Sequence, residues 1–209
     1  MSIGSPVDFN DNPDFNRWLE ENYPVEIEEY SFLSSDVLYN MGFDWYLEAL
    51  ERFKTDPEIK RKRILRKFPS IISYYFQQAN DSYANGSYEV SLIKSCLKVT
   101  INFIYGLVVA EARHRKLNLS LLGIQWETYW TDELFKRLLI IENILDYVTK
   151  SGISFFCSKI ITLNSIASLK ELNRHLGHIE APTSRESYAA DLDSLEYMLV
   201  QLIRLEEVV

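Results

Sequence analysis

The sequence predicts an all-α fold, an antiparallel helical bundle preceded by an acidic, aromatic-rich N-terminal arm. Three observations predict it. Only seven glycines and six prolines occur in 209 residues, which disfavours turn-rich sheet folds and favours long helices. Apolar residues recur at spacings of three and four over several long stretches, and no segment alternates apolar with polar residues as a half-buried strand does. With 47% hydrophobic and 25% charged residues, the chain has the apolar surface for an ordinary globular core.

Charge divides the chain. Residues 1–51 carry twelve Asp or Glu and a single base, Arg17, whereas residues 52–209 carry eighteen acidic and twenty-one basic residues. We therefore expect an acidic arm over residues 1–54 packing on a mildly basic helical domain over residues 55–209. The net charge of −8 argues against indiscriminate nucleic-acid binding, because phosphate contacts need local positive potential. Pro6, Pro13 and Pro24 interrupt the arm, which reads as short helices and irregular structure. Its aromatics, Trp18, Tyr30, Phe32, Trp45 and Tyr46, imply packing rather than disorder and offer anchors for a protein partner.

From Thr55, the run Thr-Asp-Pro-Glu has the residues of a capping box, with Thr55 as candidate N-cap, and Pro69 marks the stop. A second helix is expected over about 70–84, broken at Asn85-Gly86. The longest stripe, Val90, Ile93, Leu97, Ile101, Ile104 and Val108, predicts the most buried helix, from Ser87 to about Arg115. Lys94, Lys98, Asn102 and Glu111 interrupt it, so no membrane association is expected. A linker with Gly123, Trp126 and Trp130 leads to Thr131, a candidate cap for a helix over about 132–150 that closes at Gly152. Serines and threonines dilute the next stretch, where a helix is expected from about 157 to 176. Thr183-Ser184-Arg185-Glu186 repeats the capping pattern, and Tyr188, Leu192, Leu195, Leu199 and Leu202 form the stripe of a last helix.

Several chemistries find no support. There is no GxGxxG, no GxxxxGK and no CxxC. Cys96 and Cys157 sit among apolar residues, which predicts buried thiols in a reducing compartment, the cytoplasm, and not a catalytic cysteine. The opening residues lack the basic and apolar regions of a signal peptide. His175 and His178 could begin a metal site, but the only further donors in view are distant acids such as Glu142 and Asp146, so neither metal nor other cofactor is expected.

The remaining constellation is Leu172-Asn173-Arg174-His175-Leu176-Gly177-His178. On a continuing helix Arg174 and His178 share one face. A guanidinium holds a phosphate through paired charge-assisted hydrogen bonds, and a neutral imidazole can take the proton of a ribose 2′-hydroxyl. Together they could drive metal-independent RNA cleavage, a reaction for which DNA lacks the nucleophile. The plainer reading is a cationic helix end capped by its own side chains, with Gly177 closing the turn. A second basic cluster, Lys60, Arg61, Lys62, Arg63, Arg66 and Lys67, is either a solvated helix end or an outer RNA-binding surface.

In the order of its elements, the stretch from about Ser82 to Leu205 resembles the HEPN superfamily of small helical domains, many of them bacterial toxin or phage-defence ribonucleases. The resemblance lies in a Tyr-rich start and long apolar helix (SYANGSYEVSLIKSCLKVTINFIYGLV), a second helix (LFKRLLIIENILDYVTKSG), and the run LKELNRHLGHIEAPTSRESYAADLDSLEYMLVQLI. It implies His178 as general base, Arg174 stabilising the phosphorane, Asn173 orienting the substrate, and a homodimer that brings two motifs together. It equally allows a catalytically inactive adaptor that binds a partner protein or nucleotide. In the family four to six residues lie between the Arg and the His, often with Asn directly after the Arg. Here three residues intervene and Asn173 precedes Arg174. A shift of one residue turns a helical side chain by about 100°.

Overall fold

The computed structural model describes residues 13–118, 120, 133–179 and 184–202. Among the described residues there are ten α-helices and no strand, so the protein is all-α. The chain divides into two compact units, residues 1–62 and 63–209.

In the first unit lie α1 (Pro13–Asn22), α2 (Pro24–Glu29), α3 (Ser35–Asn40) and α4 (Asp44–Thr55). Proline at the first position of α2 starts that helix where no amide hydrogen is needed. Ser34 caps α3 by accepting from the Val37 amide, and Gly42, at φ +68°, supplies the left-handed residue that ends it. Of the aromatics expected to pack, Trp18, Tyr30, Trp45 and Tyr46 do so against other rings of the unit, whereas Phe32 is exposed. Phe15 is fully buried, with its ring edge-on to Phe53 at 4.9 Å and to Tyr46 at 5.9 Å, and Trp18 meets Phe53 and Tyr23. Each such pair adds about 0.5–1.5 kcal/mol beyond the area it buries. Arg52 donates to the Tyr23 hydroxyl at 2.9 Å and lies over its ring. Residues 13–55 thus form the short helices expected of them, around an aromatic core of their own.

The boundary between the units falls inside α5 (Pro57–Lys67). The cap of α5 is Asp56, not Thr55: the Asp56 carboxylate accepts from the Glu58 and Ile59 amides at 2.8 and 3.1 Å. Thr55 is occupied as the last residue of α4, its hydroxyl donating to the carbonyls of Glu51 and Arg52.

The second unit contains α6 (Ser70–Ala84), α7 (Val90–His114), α8 (Leu134–Lys150), a 3-10 turn (Cys157–Lys159), α9 (Leu163–Gly177) and α10 (Arg185–Leu202). Successive helices pack on one another, and α10 returns to α6 and α7, which closes the bundle. At its centre is α7, whose stripe of Ile93, Leu97, Ile101, Ile104 and Val108 is buried against Leu138, Ile141 and Leu145 of α8 and Leu195 and Leu199 of α10 in one core. Each such side chain contributes about 1.5–3 kcal/mol on leaving water. By length and composition α7 could also cross a membrane; here its apolar stripe is the bundle core.

The C-terminal half departs from expectation at one place. Where a continuous helix from about 157 was expected, Cys157–Lys159 forms only a 3-10 turn, and α9 starts at Leu163 with Thr162 accepting from the Ser165 amide. The cause is Glu111 of α7, whose carboxylate accepts from the Phe156 and Cys157 amides at 2.5 and 2.8 Å and so holds the chain in a turn. Gly152, at φ +63°, closes α8 as predicted. Ser184 accepts from the Ser187 amide at the start of α10. The expected caps Thr131 and Thr183, and the linker residues Gly123, Trp126 and Trp130, lie outside the described residues.

Candidate functional site

Helices α9 and α10 are joined by a short connection and run antiparallel. Between them opens a groove of about 790 Å³ whose walls include Glu171, Arg174, His175 and His178 from α9 and its C-terminus, and Asp191 and Tyr197 from α10. Ser168, Ala190 and Ser194 line it with small side chains, and the buried Leu172 and Met198 give it an apolar floor.

Arg174 and His178 line this one groove, as their spacing predicts. Arg174 lies in the last turn of α9 and His178 is its C-cap residue, still in right-handed helical geometry at φ −91° and ψ −7°. All three cationic or imidazole side chains, Arg174, His175 and His178, are exposed. They sit where the helix dipole favours positive charge. Lys94 of α7 fixes the exit from this turn: its ammonium donates to the Ile179 carbonyl at 2.7 Å. On the other side of α9, Lys170 pairs with Glu142 of α8 at 2.5 Å and anchors the helix to the bundle.

Asn173 is not part of the groove. It is half-buried and lines a separate depression of about 210 Å³ with Lys94, Lys98 and Leu134. The helical rotation between neighbours explains the separation, since adjacent residues point about 100° apart. None of the outer basic residues lines the groove either. Lys60, Arg61 and Lys62 belong to the first unit and Arg63, Arg66 and Lys67 to the second, and Lys62 pairs with Glu58 at 2.9 Å.

The contact that residue spacing did not reveal is between His175 and Asp191. The His175 Nε2 lies 3.0 Å from Asp191 Oδ1; the imidazole is 55% exposed, the carboxyl 6%. Burial pushes the Asp191 carboxyl above the ordinary range, and the neighbouring His175 offsets part of that rise. The second carboxyl oxygen, Oδ2, is buried and has no hydrogen-bond partner. A buried carboxyl that grips one ring nitrogen sets the orientation of an imidazole whose other nitrogen is then available for proton transfer.

Among the described residues no group of three or more His, Cys, Asp or Glu side chains is arranged to hold a metal ion. Cys96 and Cys157 are both free and buried, and burial pushes each thiol up to about 12, with the nearby Glu111 adding to the rise at Cys157. Neither thiol is a nucleophile in this fold. Comparison with known proteins returns no match to any family model, to any curated protein or to any solved structure, so the chain stands as an all-helical protein with no relative identified.

Proposed function

We propose that this chain is a HEPN-like helical protein whose α9–α10 groove cleaves RNA without a metal ion. The observation that carries this reading is the convergence of Arg174, His175 and His178 on one open groove, with His175 held by a nearly buried Asp191. In this reading the general base is His175, which Asp191 orients, in place of His178: His175 takes the proton of a ribose 2′-hydroxyl, and the freed oxygen attacks the adjacent phosphorus. The P–O5′ bond breaks as a proton from His178 reaches the leaving oxygen, giving a 2′,3′-cyclic phosphate and a 5′-hydroxyl. Arg174 stabilises the charge of the phosphorane through its forked donors. Asn173 lines the separate depression and takes no part in this scheme.

Incubation of single-stranded RNA with the protein in excess chelator tests the proposal. It expects a cyclic-phosphate product, lost in His175→Ala and Arg174→Ala and absent when the nucleotide at the cleavage site lacks its 2′-hydroxyl. A second reading, a catalytically silent adaptor that engages a partner protein through its N-terminal unit, draws on the exposure there of Val25, Phe32 and Met41, at 69%, 78% and 67%. Pull-down of a partner that depends on Phe32, with no RNA cleavage at any pH, favours that reading. Homodimerisation that brings two grooves together belongs to the first.

A further inference from the structure

Beyond Arg174 and the histidines the groove carries features that RNA cleavage alone does not use. Tyr197 stands 65% exposed at the far end, and Glu171 and Asp193 add exposed carboxylates to a groove proposed for a polyanion. Asp191 and Tyr197 are six residues apart on α10, and Arg174 and Ser168 six apart on α9; at 1.5 Å per residue both spans are about 9 Å along the helix axis. Because the helices run antiparallel, the guanidinium end of one faces away from the aromatic end of the other. Glu171 lies between them on α9, one turn from His175.

Carboxylates beside a phosphate site repel the backbone but accept hydrogen bonds from a base. An ionised carboxylate is acceptor-only, with two oxygens side by side. Guanine offers two adjacent donors on its pairing edge, the ring N1–H and the exocyclic amino group. Adenine and cytosine set an acceptor nitrogen beside their amino group, and uracil flanks its single N–H with two carbonyls, so each meets repulsion at the second oxygen. An exposed aromatic ring supplies a stacking surface that any base can use.

We infer that the groove is a guanine-nucleotide subsite: Arg174 takes the phosphate, the base stacks on Tyr197, and Glu171 accepts from its N1–H and amino group. The inference deepens the ribonuclease reading by assigning its substrate as single-stranded RNA with guanine at the cleaved step, and it is tested by binding alone. Isothermal titration uses four deoxydinucleotides, each with two identical bases, which have one phosphate and no 2′-hydroxyl and so cannot be cleaved. Expected is tightest binding of the guanine dinucleotide, by about tenfold over thymine. Tyr197→Ala weakens all four by about tenfold, and Glu171→Gln abolishes the preference for guanine while retaining binding. Circular dichroism checks that each variant keeps its helices. Equal affinity for all four bases, or a guanine preference that survives Glu171→Gln, overturns the inference. Guanine-selective binding without any RNA cleavage upholds the subsite and rejects the nuclease; cleavage without base preference does the reverse.

Discussion

Asp191 holds His175 across the α9–α10 groove, Oδ1 3.0 Å from Nε2, with the carboxyl almost wholly out of water and the imidazole half in it. The arrangement is costly to the fold. Burial raises the carboxyl's pKa in spite of the histidine, and its second oxygen has no hydrogen-bond partner. A buried, incompletely satisfied charge is a poor source of stability and a good way to orient a functional group.

The sign of its pH dependence follows. An acid whose folded pKa lies above its unfolded value supports the folded state while protonated, and that support is lost as pH rises from the ordinary Asp range through the raised value. Asp191→Asn removes the titration and keeps the shape. We expect a variant at least as thermostable as the wild type at pH 7.5, with an advantage that shrinks as pH falls toward 4, and with no RNA cleavage. A melting temperature several degrees below wild type at pH 7.5 contradicts this account of the pair.

Glu111 behaves oppositely. Desolvation raises its pKa, but the amides of Phe156 and Cys157, together with Arg115, outweigh burial and the net shift is downward from 4.5. Its contribution is therefore present at neutral pH and lost as pH falls below that value. Glu111→Ala is expected to cost about 2 kcal/mol by urea unfolding at pH 7, the scale of hydrogen bonds to a charged group. The difference from wild type narrows under acid conditions, and a cost that stays constant down to pH 3 runs against the assignment.

Lys94 acts on the site from α7 by holding the carbonyl of Ile179, next to His178. Lys94→Met removes that bond and leaves the groove's own side chains in place. Cleavage is expected to fall in kcat by about tenfold or more with KM little changed, since small displacements of a reacting group are costly. An unchanged kcat removes Lys94 from the account.

Both thiols are predicted to be inert in the folded protein. With Cys96 and Cys157 each pushed up to about 12, almost no thiolate exists at pH 7.5. A chromogenic disulfide reagent should react with neither over an hour at that pH and with both in denaturant; rapid modification of either in the native state contradicts the buried placement.

Much of the second unit was legible in the sequence, because α6, α7, α8 and α10 each bury a continuous apolar stripe and the period of that stripe is a local property. The turn at Cys157–Lys159 was not, since it is imposed by Glu111, more than forty residues earlier in the chain. Capping at Asp56 was misread for a local reason: two adjacent residues could cap α5, and Thr55 was already spent on ending α4. The same limit governs the site. Arg174 and His178 share a groove through helical spacing, but the partner of His175 comes from the next helix. One signal was available. Asp191 falls between Tyr188 and Leu192 on the buried stripe of α10, and a carboxyl on an apolar face calls for a partner.

Whether the groove cleaves RNA through His175 is decided by a chelator-treated cleavage assay comparing wild type with His175→Ala on one single-stranded RNA. A 2′,3′-cyclic phosphate product is expected from the wild type and none from the variant, with equal helical content in both. No product from a folded wild-type protein, or undiminished cleavage by His175→Ala, contradicts cleavage through His175.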